Sequence, residues 1–185
     1  MIEDALLMAE DGMEKAVAAT RKEFGNIRTG RANPEMFNSI LVDYYGAPTP
    51  LQQLASIQIP EARMVLVSPY DRGSVQDIIK AIRDADLGVN PTDDGNVIRC
   101  TLPALTEERR KDYVKQARQR AEEGRISIRN ERRKAKEELD RIKKDGDAGE
   151  DEVERGEKEL EALTKSYVSK IDAELEAKET DLMTV

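Results

Sequence analysis

The chain has 185 residues, no histidine, no tryptophan and a formal net charge of −8. The lack of histidine excludes histidine-bound zinc, Ser-His-Asp triads and Cys-His dyads, and the sequence holds no glycine-rich phosphate loop. We therefore expect a protein that is not an enzyme and that needs no metal and no cofactor. Charged residues make up 37% of the chain and hydrophobic residues 38%, a balance that favours long solvated helices over a thick core.

The sequence shows no targeting or membrane-spanning pattern. The first five residues lack the basic and apolar regions of a secretory signal, and no apolar stretch reaches the roughly 20 residues that a membrane span needs. Cys100 is the single cysteine, so no internal disulfide can form and a reducing compartment is the simpler assumption. These features predict a cytoplasmic protein without a membrane partner.

The first predicted element is a helix over residues 2–27. Apolar residues recur there at spacings of three and four. Gly30 and then Asn33-Pro34 end the pattern, because proline cannot continue a helical ladder. The predicted apolar stripe consists of Ile2, Leu6, Ala9, Met13, Ala16, Val17, Thr20, Phe24 and Ile27.

Residues 35–104 predict a small sheet with one helix. The helix covers residues 75–84, with Ser74 as its cap and an apolar stripe that includes Ile78 and Ile82. Strand-forming residues predict strands at 40–45, 56–59, 64–68 and 97–102. Turns or loops are expected at 46–50, 90–91 and 94–96.

Two long helices follow from Thr106, a good cap, with acidic residues in the favoured first turn. The first covers about 40 residues and ends at Gly146 and Gly149; the loop before the second is short, which predicts antiparallel neighbours. The seam of the first helix is Val114, Ala117, Ala121, Ile128, Ala135, Leu139 and Ile142. The seam of the second is Val153, Leu160, Leu163, Tyr167, Ile171, Leu175 and Leu182.

Three long helices with one apolar stripe each can bury those stripes only by packing together. We therefore predict an α+β protein: an antiparallel three-helix bundle formed by residues 1–30 and 106–185, with a small β/α/β domain, residues 31–105, inserted into it. The two short connections predict a hinge. The hinge residues are expected to be Gly30, Ala32, Asn33, Pro34, Pro103, Ala104 and Leu105.

Basic residues collect on one face of the middle helix. Residues 106–145 carry a net charge of +5, whereas residues 146–185 carry −8. Such a stripe on an acidic chain suggests one oriented contact with a phosphate backbone. The alternative is that the stripe pairs with the acidic last helix, because charge runs are usually solvated faces. The stripe, roughly 100° wide, contains Lys111, Lys115, Arg118, Arg125, Arg129, Arg132, Arg133, Lys136 and Lys143.

Five other residues invite a functional interpretation. Arg28 and Arg31 flank Gly30 and are expected to lie beside the arginines of the stripe, although capping of the first helix also explains them. Tyr44 and Tyr45 are able to stack on bases, but neighbouring tyrosines on a strand more often serve core and surface. Cys100 is expected to be a buried small hydrophobe.

Five ordered motifs resemble the ribosome recycling factor family over essentially the whole chain. They are Ile27-Arg28-Thr29-Gly30-Arg31-Ala32-Asn33-Pro34, Tyr44-Tyr45-Gly46-Ala47-Pro48-Thr49-Pro50-Leu51, Asp86-Leu87-Gly88-Val89-Asn90-Pro91, Leu105-Thr106-Glu107-Glu108-Arg109-Arg110-Lys111 and Arg129-Asn130-Glu131-Arg132-Arg133. The resemblance implies an L-shaped protein in which a three-helix bundle and a β/α/β domain are joined by a flexible hinge.

The resemblance also implies a function in translation. Members bind the ribosome after termination, against large-subunit ribosomal RNA at the subunit interface, and separate the subunits together with elongation factor G, whose GTP hydrolysis supplies the energy. A monomer is expected. The residues expected to bind RNA are Arg28, Arg31, Arg125, Arg129, Arg132, Arg133 and Lys136. The competing hypothesis is a helical scaffold or chaperone-like module, which would need an exposed apolar patch.

Overall fold

The computed structural model describes residues 1–184, and the chain divides into two compact units. Unit 1 comprises Met1–Arg28 and Glu107–Thr184, and unit 2 comprises Thr29–Thr106. No helix in residues 1–184 is long and apolar enough to cross a membrane. The predicted fold class, long helices with a small β/α insertion, is confirmed.

Unit 1 contains three long helices that pack on one another. They are α1 (Ile2–Gly25), α4 (Glu107–Asp145) and α5 (Glu150–Met183). The apolar stripes read from the sequence converge on one core, in which Met13, Ile128 and Ile171 are fully buried. Val114, Leu163 and Leu175 are only partly buried and pack against its edge. The core therefore runs along all three helices.

The turn between α4 and α5 makes the two helices antiparallel. Gly146 adopts a left-handed φ of 71°, and the amide of Asp147 donates to the carbonyl of Ile142 over 3.1 Å. This arrangement satisfies carbonyls that the end of a helix leaves without partners. The predicted stop at Gly146 is confirmed.

Unit 2 contains two antiparallel sheets and two helices. A hairpin of β1 and β2 forms one sheet, and the other has the strand order β3-β4-β6-β5. The longer helix of unit 2, Val75–Asp84, packs against β1 and β5 and buries Ile78 and Ile82 in the core of that unit. The strands are β1 (Leu41–Tyr44), β2 (Ala47–Pro50), β3 (Ala55–Glu61), β4 (Met64–Pro69), β5 (Asn90–Asp93) and β6 (Ile98–Thr101), and the helices are α2 (Leu51–Leu54) and α3 (Val75–Asp84).

Two segments predicted as turns are strands instead. Residues 47–50 form β2, because Tyr45 and Gly46 adopt φ of 52° and 85° and close a two-residue hairpin. The prolines of β2 are tolerated in a two-stranded ribbon, where an edge needs no further amide donors. Asn90-Pro91 begins β5, which is likewise an edge strand.

The predicted cap of α3 is also wrong. The side chain of Ser74 makes no cap hydrogen bond to α3; its hydroxyl donates to the carbonyl of Asp71 over 2.7 Å. Asp71 instead accepts from the amide of Gly73 over 2.9 Å and caps a short 3₁₀ turn, Arg72–Ser74, that leads into α3. The side-chain cap is therefore Asp71, three residues before the predicted Ser74.

Candidate nucleic-acid interface

Eight of the nine residues of the basic stripe of α4 fall into two flanks, because α5 packs along one of its edges. Lys143, near the end of α4, is assigned to neither flank. The paired flank consists of Arg118, Arg125, Arg132 and Lys136, each bound to a carboxylate of α5. The open flank consists of Lys111, Lys115, Arg129 and Arg133, and none of these four forms an ion pair with α5 among the described residues. The paired flank therefore meets the acidic last helix, as the alternative expects, and a phosphate contact of the open flank stays a prediction.

Four ion pairs join the paired flank to α5. Arg118 Nε lies 2.6 Å from Glu179 Oε1, and Arg125 Nη2 lies 2.7 Å from Asp172 Oδ1. Lys136 Nζ lies 2.8 Å from Glu157 Oε1. Arg132 is bound through two nitrogens to Glu161. Exposed pairs of this kind add little to stability, so the buried seam, not the ion pairs, holds the two helices together.

Arg125 is the most enclosed member of the stripe. Its side chain is 21% exposed and binds both Asp172 and Glu122. Burial lowers the pKa of its guanidinium, but the hydrogen bonds to the two carboxylates more than offset that effect and the net change is upward. A phosphate reaching Arg125 must therefore displace two carboxylates.

The open flank is more accessible. Arg129 is 54% exposed and binds only Glu122, over 3.0 Å. Its hydrogen bond is the main cause of a lowered pKa at the Glu122 carboxyl, with Arg125 contributing next. Arg133 is exposed and makes no ion pair within residues 1–184. Arg133 therefore presents a complete guanidinium fork, which suits phosphate.

The structure does not place Arg28 beside the arginines of α4. Glu23 of α1 lies 3.7 Å from Arg120 of α4, and Thr20 packs against Gly124, so the two helices are antiparallel. In this register Arg28 lies level with residues near Lys115, roughly 20 Å or more along α4 from Arg129 and Arg133. The expected position of Arg28 is wrong, because the charge pattern of the sequence carries no information about the register of two helices.

The capping of α1 also differs from the sequence-based interpretation. The end of α1 is capped by Lys178 of α5, whose Nζ donates to the carbonyl of Ile27 over 2.8 Å. Burial lowers the pKa of this ammonium group. Arg31 belongs to unit 2, where its amide donates to Thr29 Oγ1 over 3.4 Å. Sequence reasoning missed Lys178 because no local signal links residues 27 and 178.

The residues predicted as a hinge fall into two groups. Ala32 is fixed in unit 2, since its amide donates to the carbonyl of Ala62 over 2.6 Å. Asn33 accepts from the amide of Glu35 over 3.0 Å and caps the 3₁₀ turn Pro34–Phe37. On the other connection, the amide of Leu102 donates to the carbonyl of Arg63 over 2.9 Å.

Between these hydrogen bonds and unit 1, each connection is short: residues 28–31 on one side and 103–106 on the other. Gly30 has a φ of 76°, and a Cβ there would lie 3.2 Å from Leu105 Cγ, so both the backbone and the space favour glycine.

The paired tyrosines of unit 2 share one carboxylate. The hydroxyls of Tyr44 and Tyr45 each donate to Asp71 Oδ2 over 3.3 Å, and the two rings meet edge to face at 4.6 Å. Tyr45 is 83% exposed and Tyr44 is partly buried. One tyrosine thus faces the core and the other the surface, as is common for neighbouring tyrosines on a strand. The negative charge of nearby Asp71 disfavours the approach of a nucleic-acid backbone. Cys100 is fully buried, as predicted, and burial raises the pKa of its thiol to about 11.

A mostly helical binding protein is thus defined, with a β/α insertion and a basic face suited to a polyanion. Within residues 1–184 no group of histidine, cysteine and carboxylate side chains is arranged to hold a metal ion. The chain belongs to the ribosome recycling factor family, whose model matches residues 20–183.

Named relatives match the chain from end to end. The ribosome-recycling factor of Kineococcus radiotolerans is 65% identical over 185 residues, and that of Beutenbergia cavernae is 64% identical; in both cases all of each chain is covered. A solution structure of a ribosome recycling factor is 41% identical, with a TM-score of 0.77, over 100% of this chain and 98% of that one.

A second solved structure matches at a TM-score of 0.66 and 38% identity, with 100% of both chains covered. It is described as models for the T. thermophilus ribosome recycling factor and the E. coli elongation factor G bound to the E. coli post-termination complex. The similarity covers both units of this chain and is not limited to the helices.

Proposed function

We propose that this protein is a ribosome recycling factor that binds the post-termination ribosome in the cytoplasm and separates its subunits together with elongation factor G and GTP. The observation that carries the proposal is the end-to-end match to named ribosome-recycling factors, up to 65% identical. The chain supplies no chemistry of its own, and GTP hydrolysis by the partner drives the step. The competing scaffold function is not favoured, because the seams of all three long helices are buried in unit 1.

The bundle is the part that binds ribosomal RNA in this proposal. Arg129 and Arg133, on the open flank, make the first phosphate contacts, and Arg28 and Arg31 make separate ones. Arg125, Arg132 and Lys136 stand on the same stripe but reach a phosphate only after a carboxylate of α5 is displaced. RNA shape and backbone, not base sequence, are recognised by such a surface.

Unit 2 is the part that moves. Residues 28–31 and 103–106 form the proposed hinge, while Ala32, Asn33 and Pro34 move with unit 2 because their backbone is tied to it. A partner that pushes one unit while the other stays on RNA does mechanical work on the ribosome. We propose that the working form is a monomer.

Light scattering of post-termination ribosomes tests the function. Addition of the protein with elongation factor G and GTP is expected to lower the scattered intensity as subunits separate, and omission of any one of the three is expected to leave it unchanged. A scaffold would cause no loss of scattering in either case. Pelleting of the protein with ribosomes at several salt concentrations measures binding separately, and affinity should fall as salt rises.

A further inference from the structure

The carboxylates of α5 that bind the paired flank follow two registers, which differ by one turn of α5. Arg118 and Arg125 are seven residues apart on α4, and their partners Glu179 and Asp172 are seven residues apart in the opposite direction on α5. Seven residues are about two helical turns, or roughly 10 Å. Successive carboxylates therefore stand beside successive arginines along one side of the stripe. We call these four carboxylates, Glu157, Glu161, Asp172 and Glu179, the acidic ladder.

The ladder has one gap. Continuing the register from Asp172 by seven residues sets Lys165 level with Arg132. Arg132 instead binds Glu161, one turn further along α5. Lys165 is exposed and adds a positive charge on α5 level with Arg129 and Arg133 of the open flank. Within residues 1–184, Lys165 and Arg133 make no ion pair, whereas Arg129 and Arg132 beside them are bound to Glu122 and Glu161.

The acidic ladder occupies the same donors that a phosphate would use. A carboxylate and a phosphate oxygen accept the same N–H groups of arginine. Glu161 and Asp172 are 59% and 54% exposed, so they can leave their arginines without unpacking the bundle, whereas Glu157 and Glu179 are half-buried. A phosphate that takes such an arginine also faces repulsion from the freed carboxylate. Binding is thereby weakened wherever the ladder is complete.

We propose that the acidic ladder is a built-in competitor of RNA phosphates that confines phosphate binding to the gap around Lys165. This proposal rests on the proposed function, since it names the residues that would make the basic stripe of α4 selective for ribosomal RNA over other polyanions. Unrelated polyanions gain little binding affinity where the arginines are paired with the acidic ladder. An RNA that presents phosphates to Lys165 and Arg133 binds these two residues without displacing a carboxylate, so discrimination arises from competition as well as from attraction.

The first test removes two carboxylates of the ladder. Glu161→Gln with Glu179→Gln frees Arg132 and Arg118 from the only carboxylate that each binds within residues 1–184. It is compared with Glu152→Gln with Glu159→Gln, exposed residues on the opposite side of α5 that change the net charge equally. The probes are poly(U) and ribosomes. The ladder variant is expected to bind poly(U) about tenfold more tightly than the control variant, with a salt slope steeper by about 1.4, since two released arginines contribute roughly 0.7 each. Ribosome affinity is expected to rise less than poly(U) affinity.

Equal binding of poly(U) by the ladder variant and the control variant would overturn the proposal, because only net charge would then matter. A second variant keeps the ladder and closes the gap: Lys165→Glu is expected to weaken poly(U) and ribosome binding several-fold more than Arg155→Glu, an exposed charge reversal on another face of α5. Equal effects would also overturn it. Circular dichroism confirms that each variant is folded.

The two proposals fail in different ways. If the wild-type protein does not pellet with ribosomes, the proposed function is wrong. The comparison of poly(U) affinities between variants does not use ribosomes and decides the role of the ladder by itself.

Discussion

Arg133 differs from the arginines of the paired flank in having no carboxylate partner within residues 1–184. No ion pair has to be broken before a phosphate binds its guanidinium. Arg133 is therefore the residue at which the effect of one phosphate contact can be measured most directly. Arg125 is the opposite case, held by Asp172 and Glu122. The two residues lie on one stripe and read alike in the sequence, and only the packing of α5 separates them.

We expect Arg133→Gln to weaken ribosome binding and to reduce the salt slope by about one unit, because one phosphate contact is lost. The melting temperature should stay unchanged. Lys134→Gln is the matched control: Lys134 is the next residue of α4, exposed, off the stripe and paired with Glu131 over 3.1 Å. Affinity and slope are measured by pelleting at several salt concentrations. An equal loss in both variants would show that net charge alone is responsible.

A second residue, Tyr167, predicts a pH dependence of stability. Its hydroxyl donates to Glu14 over 2.8 Å, and this hydrogen bond, together with burial, raises its pKa to about 12. The pKa of tyrosine in the unfolded chain is about 10. The folded state holds the proton more tightly, so the contribution of Tyr167 is complete below pH 10 and is lost as the pH rises towards 12.

We therefore expect wild type to be more stable than Tyr167→Phe at pH 8, with a difference that shrinks between pH 10 and pH 12. Urea unfolding of both proteins across this range measures the difference, and other titrating groups cancel in the comparison. A difference that stays constant over that range would show that the hydroxyl loses no stabilising bond on ionisation.

At the scale of elements, Gly124 explains how closely the three helices approach. It lies inside α4, where glycine is normally unfavourable. A Cβ there would collide with Thr20 of α1 and would lie 2.8 Å from Ile171 Cδ1 of α5. Glycine is needed at the point where all three helices meet.

Gly124→Ala is expected to destabilise the bundle by about 1–3 kcal/mol, because overpacking outweighs the gain in helix propensity. Gly25→Ala is the control: Gly25 ends α1 and a Cβ there would have no neighbour within 4 Å. It should be neutral or slightly stabilising. Thermal unfolding followed by far-ultraviolet circular dichroism measures both. A rise in melting temperature for Gly124→Ala would mean that the helices separate at no cost.

Periodicity explains which elements could be predicted and which could not. The seams of α1, α4 and α5 were readable because every third or fourth residue faces one core. Strands β2 and β5 were misread because proline signals a turn unless the strand is known to lie at an edge. Gly124 carries no signal of its own, since its role depends on Thr20 and Ile171, which are far away in sequence.

The candidate interface was predictable to a similar extent. The position of the stripe on α4 follows from helical geometry alone, and the sequence also showed that one of its edges could meet the acidic α5. It could not show which arginines are paired, because that depends on the rotation and register of two helices. Arg28 was misplaced for the same reason.

At the scale of the whole molecule, the two units are expected to divide anchoring from mechanical work. Unit 1 contains the basic stripe and the three long helices, and its core is complete without unit 2. The end of α1 and the start of α4 lie at the same end of unit 1, because the two helices are antiparallel. A short Gly/Ser linker in place of residues 32–104 therefore closes a small loop, at little entropic cost.

This linker variant is expected to fold and to bind ribosomes with a salt slope close to that of the full chain, since the stripe remains. It should fail to separate subunits with elongation factor G and GTP, because the unit that the partner would push has been removed. It should also inhibit the intact protein by occupying its site. Pelleting reports binding and stopped-flow light scattering reports separation. Separation at the normal rate would show that unit 2 is dispensable, whereas loss of ribosome binding in a folded variant would place the main RNA contacts outside the bundle.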